Sequence, residues 1–194
     1  MVQNKNKILL HACCAICSGY PISLLKELGY EVVVYFYNPN LDSEEEFQRR
    51  LDAQKTVCKY FDVPLIIEDY KPIEYLEYIK GLEFEPEKGH RCSKCIELRI
   101  KKTYEKSKEL NIKNFTTSLT ISPHKNFDLI SKTGLEISKD YLAINFRKND
   151  GFLKTNKISK DLNLYRQNYC GCPFAVNCVS PINLFLRVLL FTID

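Results

Sequence analysis

Short runs rich in β-branched and aromatic residues alternate with stretches of helical spacing, and this constrains the fold more than any other feature of the sequence. KILL (7–10) stops at His11 and reads as a buried strand. PISLLKELG (21–29) has helical spacing and ends at Gly29, a natural C-terminal cap. EVVVYFYN (31–38) is the next strand. After the Asn-Pro-Asn turn, DSEEEFQRRLDAQKTVCKYF opens with Asp42 or Ser43 as N-cap and carries Phe47, Leu51, Cys58 and Phe61 on one stripe. VPLIIED (63–69) is a third strand. The alternation continues with a helix over roughly 94–110, a strand at NFTTSL, a helix over roughly 124–138 and a strand at DYLAINF. Such a chain is predicted to form an α/β, Rossmann-like three-layer sandwich around a parallel sheet of about five strands. The sheet domain spans residues 1–150, and 151–194 form a C-terminal extension.

In open α/β sheets ligands bind beyond the carboxyl ends of the strands. The sequence places HACCAICS there, directly after the first strand. The chain has nine cysteines, an odd number that cannot pair completely within one molecule. Too few apolar residues precede His11 for a signal-peptide core. The apolar tail INLFLRVLLFTID is too short to span a bilayer and carries Arg187. The expected location is therefore cytoplasmic, with no membrane, where clustered thiols bind metal or do chemistry. The formal charge of +4 permits a nucleic-acid partner without demanding one.

Seven cysteines fall into three groups: Cys13, Cys14 and Cys17 in the first loop, Cys92 and Cys95 in RCSKC, Cys170 and Cys172 in YCGCP. Cys58 lies on an apolar helical stripe and reads as a small core residue, as does the solitary Cys178. A C-x-x-C at a helix start lets two thiolates meet one metal where the helix dipole favours negative charge. One structural zinc takes four ligands, as does one four-iron cluster, so seven thiols exceed either. Consecutive side chains diverge, so Cys13 and Cys14 are expected to serve two adjacent centres rather than one. The residues thus point to an iron–sulfur cluster with either a second metal or a pair of reactive thiols. Arg91, Arg147, Tyr165, Arg166, Gln167 and Tyr169 surround the motifs and mix phosphate-pairing with stacking side chains, as an RNA loop requires. For Lys101 and Lys102 ordinary solvated charge suffices.

HACCAICS, YNPN followed by EEEFQRR, GHRCSKCIELR, TTSLTISPHKN, FRKNDGF and YRQNYCGCPF occur in this order. Together they resemble the QueH type of epoxyqueuosine reductase, over about residues 7–174. The resemblance implies a PP-loop/HUP-like fold lacking the glycine-rich phosphate loop. It also implies two-electron removal of the epoxide oxygen from epoxyqueuosine in the anticodon loop of tRNA, without cobalamin. The implied cofactors are a 4Fe-4S cluster and an additional mononuclear iron, held among Cys13, Cys14, Cys17, Cys92, Cys95, Cys170 and Cys172, with an unidentified electron donor as partner. Ile16, Ile96 and Asn145 stand where the family usually has proline, tyrosine and aspartate; Asp150 or Asp42 is the candidate to compensate for Asn145. His11 and Tyr169 are the candidate proton donors, because each adjoins a cysteine motif. Two other readings share some of these features. A PP-loop tRNA-thiolating enzyme would need a serine- or glycine-rich loop after the first strand. A metal-binding RNA module would show no turnover.

Overall fold

The β-branched runs pair into a sheet of order β3-β2-β1-β4, with β1 at Lys7–His11, β2 at Glu31–Phe36, β3 at Leu65–Ile67 and β4 at Asn114–Thr117. All three strand pairings are parallel. The structure, a computed structural model, describes residues 6–175; Cys178 and the apolar tail lie outside the described residues. Helices α1 (Ala15–Glu27), α2 (Glu44–Phe61), α3 (Pro72–Tyr78), α4 (His90–Glu109), α5 (Phe127–Ile137) and α6 (Gly151–Asp161) complete the fold.

Both faces of the sheet are covered, which is why the strands read as unbroken apolar runs. Leu9, Val33, Tyr35 and Phe115 pack with Ile96 and Ile100 of α4 and Ile130 of α5. On the opposite face Ile8, Leu10, Val32 and Val34 meet Ile22 and Leu25 of α1 and Val57 and Cys58 of α2. Full burial of a side chain such as Leu9 or Phe115 contributes about 1.5–3 kcal/mol. Ser43 is the N-cap of α2, its hydroxyl accepting from the Glu46 N–H at 3.2 Å.

Besides α6, which the sequence reading left within the extension, four elements depart from that reading. DYLAINF is not a fifth strand: it touches β4 through one bridge, Phe115 to Tyr141. Beyond Thr117 the chain turns into a 3₁₀ helix, Ser118–Ile121, so no ladder partners remain. The hydroxyls of Thr116 and Thr120 donate instead to the carbonyls of Leu142 and Ile144, at 2.8 Å each. The short helix α3, with Pro72 in its first turn, was not foreseen. Helix α4 begins at His90, so the whole RCSKC motif is helical.

The fourth departure is α1, which begins at Ala15 rather than Pro21 and so carries Pro21 in its interior. An interior proline removes one helical hydrogen bond and crowds the turn before it. That turn is repaired from α6. The Thr155 hydroxyl accepts from the Tyr20 N–H at 3.3 Å and donates to the Ile16 carbonyl at 2.5 Å. A Cβ at Gly19 would lie 3.0 Å from Ile158 Cγ2, so α6 sits close against α1.

Candidate metal centre and active site

At the carboxyl ends of β1 and β4 lies a cleft of about 510 Å³, lined by Cys13, Cys14, Cys17, Cys92, Cys95, Cys170 and Cys172. Cys58 is buried elsewhere, among the sheet and helices α1 and α2, and burial pushes its thiol up to about 11.

The first group is made by the strand-to-helix junction. Cys14 is the N-cap of α1 in extended conformation, φ −171° and ψ 162°, and Cys17 is in the first turn. Cys13 and Cys14 nevertheless converge, and the expectation that adjacent side chains diverge is corrected. Their sulfurs lie 3.9 Å apart, and all three sulfurs lie within 4.8 Å of one another. A tetrahedral thiolate site with metal–sulfur bonds near 2.3 Å has edges of about 3.8 Å, so the trio suits one metal. Hydrogen bonds from Cys14 and Cys17, aided by Ser118, hold the Cys13 thiol well below its ordinary range. The donors pay in the opposite direction: Cys14 is pushed up to about 12 and Cys17 well above its usual value.

The second group is assembled from distant segments. Cys92 and Cys95 occupy the first turns of α4, and the Lys88 N–H donates to Cys92 Sγ at 3.2 Å. Burial raises the Cys95 thiol, opposed by the positive charges of Arg99 and Lys125. Cys170 and Cys172 flank Gly171, whose φ of +88° disfavours a side chain. The Cys172 thiol hydrogen-bonds Cys170 and holds it down to about 5, with Lys125 and Arg99 assisting; Cys172 is raised in return. Tyr75 Oη and Cys172 Sγ are 3.1 Å apart.

Two buried arginines stand among these thiols, Arg50 and Arg99. Arg50 Nε donates to Glu46 Oε1 at 2.6 Å, while Nη1 and Nη2 donate to the carbonyls of Cys170 and Tyr169 at 3.1 and 3.3 Å. Arg99 donates from Nε to the Cys95 carbonyl at 3.2 Å. Their charges favour thiolates over thiols, as metal binding requires. Sequence reasoning did not assign Arg50 or Tyr75 to the site. A run of mixed charge on a helix reads as solvated, and only the burial of Arg50 sets it apart.

The other residues singled out in the sequence are distributed as follows. Tyr169, Arg166 and Gln167 line the cleft, together with the half-exposed Phe152. The Tyr169 hydroxyl donates to the Asp42 carboxylate at 3.1 Å. Arg166 donates to Ser159 Oγ and Asn156 Oδ1 at 3.2 and 3.0 Å. His11 is fully buried beneath the cleft, with Nδ1 2.8 Å from Thr117 Oγ1 and Nε2 3.0 Å from the Tyr37 carbonyl. Burial and then Arg99 lower its pKa to about 4. Arg91 is also buried, donating to the carbonyls of Glu83, Glu85 and Phe174. The Tyr165 hydroxyl donates to Glu46 Oε2 at 2.8 Å. Arg147 and Asn145 lie in a second cavity that shares a wall with the first.

Fold and site define an α/β protein whose parallel sheet is covered on both faces, with a cysteine-lined cleft where such sheets bind ligands. Its fold is similar to that of the U34-tRNA thiolase NcsA from Methanococcus maripaludis, solved with its 4Fe-4S cluster, at a TM-score of 0.56 and 16% identity over 95% of this chain and 65% of that one. The family model for epoxyqueuosine reductase QueH matches residues 8–177. Epoxyqueuosine reductase QueH from Streptococcus pyogenes serotype M1 is 38% identical over 178 residues, covering 87% of this chain and 69% of that protein. The Thermotoga maritima protein of the same name is 30% identical over 176 residues, 87% of this chain and 90% of its own. The chain belongs to the epoxyqueuosine reductase QueH family, and is an oxidoreductase.

Proposed function

We propose that this chain reduces epoxyqueuosine to queuosine at the wobble position of tRNA, in the cytoplasm and with electrons from an external donor. What carries the reading is that seven thiols from three separate segments line one cleft at the ligand end of the sheet. Deoxygenation breaks both C–O bonds of the epoxide, forms a C=C bond and releases the oxygen as water, consuming two electrons and two protons. Cys13, Cys14, Cys17, Cys92, Cys95, Cys170 and Cys172 would between them hold a 4Fe-4S cluster and an additional mononuclear iron. Those centres supply single electrons and a Lewis acid for the epoxide oxygen.

The chain's own groups do the rest. Arg50 and Arg99 offset the charge accumulated on the thiolates. Tyr169, on the cleft wall and oriented by Asp42, is the proton donor to the departing oxygen. His11, with both ring nitrogens engaged, orients the loop after β1 through Thr117 and Tyr37. Arg166 and Gln167 contact the RNA, and Arg91 and Tyr165 support them from behind by fixing the 165–174 segment.

The test gives anaerobically reconstituted protein epoxyqueuosine-containing tRNA and a chemical reductant, then digests the RNA and measures nucleosides by mass. Queuosine is expected, from a brown protein carrying more than four irons per chain. An untouched epoxide with sulfur added to another base would establish a thiolase instead. A colourless protein with one tight zinc and no turnover would establish a binding module.

A further inference from the structure

The second cavity, about 560 Å³, adjoins the cysteine cleft through the shared residues Glu87, Cys92, Pro123, His124 and Lys125. Lys88, Lys125 and Arg147 bring three positive charges to it, against the carboxylates of Glu87 and Asp128. None of the three cations forms an ion pair among the described residues, in contrast to Lys7, Arg49, Arg50, Lys94 and Lys106 elsewhere on the surface and core. Arg147 adds a more specific sign. Its Nε is buried and has no hydrogen-bond partner among the described residues. A buried guanidinium N–H without an acceptor is costly, and a phosphate presents the paired oxygens that such a fork accepts. The neutral Asn145 lines the same cavity, its Oδ1 accepting from the Arg147 backbone N–H at 3.1 Å.

Resting on the reductase reading above, we infer that this cavity is a phosphodiester subsite. It takes the RNA backbone next to the modified nucleotide, with Arg147 as the bidentate anchor and Lys88 and Lys125 as supporting charges. The enzyme then acts on the nucleoside only within a polynucleotide, because one phosphate must sit in the second cavity for the modified base to reach the first.

The test uses the full chain and an anticodon stem-loop carrying epoxyqueuosine. Binding is read by fluorescence anisotropy across a salt series, and turnover on the same RNA. Arg147→Gln and the exposed Lys88→Gln should each weaken binding about tenfold at low salt and flatten the log–log salt slope by roughly one. In turnover the loss should appear in KM more than in kcat. Inorganic phosphate and ATP are the competing arms. Millimolar phosphate should displace the RNA only weakly and ATP no better. Tight ATP displacement lost in Arg147→Gln would assign the cavity to a free nucleotide and overturn the inference. Unchanged affinity and slope in both variants, with wild-type turnover intact, would overturn it while leaving the reductase reading standing. If the wild type fails to turn over the epoxide, that reading falls, and the anisotropy series still decides the subsite by itself.

Discussion

Cys13, Cys14 and Cys17 reach one another through the backbone of a single strand-to-helix junction, whereas Cys170 and Cys172 reach the cleft because α2 and α3 hold them there. The first trio is set by an extended N-cap and the opening turn of α1. The second depends on Arg50, which grips carbonyls 119 and 120 residues away along the chain, and on Tyr75, 97 residues from Cys172. Local geometry makes one half of the site; tertiary packing makes the other. Disturbance of the core should therefore reach the second half first.

The largest effect tests whether both halves are needed. Cys13→Ala and Cys172→Ala should each lower turnover at least about 100-fold and reduce iron content, exceeding the 10–100-fold typical of outer-shell changes. If Cys172→Ala retains full iron and full turnover, the second half is not part of the site.

Next comes the grip itself. Arg50→Met leaves the buried Glu46 without its ion-pair partner, and should destabilise the fold by about 3 kcal/mol in denaturant titration. Hydrogen exchange should rise in residues 165–172 and stay unchanged at 13–17. Adding Glu46→Gln should recover part of the loss. Equal loosening of both segments would erase the distinction between local and long-range construction.

A third experiment compares the thiols in metal-free protein. A thiol alkylates only as thiolate, so a lowered pKa brings fast labelling into the acid range. Cys170 labelling should be half-maximal near pH 5 and flat from neutral pH upward. Cys13 should also label fast at neutral pH, its thiol being lowered, while Cys58 should label at least about tenfold more slowly at pH 7. Parallel rates for all three would show that neither half stabilises a thiolate.

The smallest effects separate backbone from core. Gly171→Ala asks a side chain to adopt φ +88°, at about 1–2 kcal/mol, and brings its Cβ into overlap with Leu41 Cδ2 and to 2.9 Å from Arg50 Nη2, so both side chains must shift. Cys58→Ala should cost about 1 kcal/mol and leave iron content unchanged.

Much of this was legible in the residues. The runs KILL, EVVVYFYN and NFTTSL announced three strands because their alternate residues face two covered sides of one sheet. The C-terminal run DYLAINF carried the same composition but met a β4 too short to pair with it. Composition does not encode the length of a neighbour. Pro21 looked like the front edge of a helix; only Thr155, far along the chain, shows how the proline is tolerated. The grouping of the cysteines was plain from spacing. The meeting of Cys13 with Cys14 was not, since spacing carries no information on the backbone and side-chain torsions that bring two sulfurs to 3.9 Å. Arg50 and Glu46 were hidden because an i,i+4 pair reads identically on a buried and an exposed face.

The long-range tie between Arg50 and the Cys170 carbonyl also orders events in time. Closing so long a loop carries an entropic cost that must be met before the contacts at its ends contribute, and such contacts form late in folding. During synthesis the trio at the head of the sheet emerges and can form well before the YCGCP segment exists. A nascent chain therefore displays three clustered thiols with no lid of partners, a species open to oxidation or to capture of the wrong metal. On the proposed reading, in which Cys170 and Cys172 complete the ligand set, cofactor insertion belongs after translation of that segment.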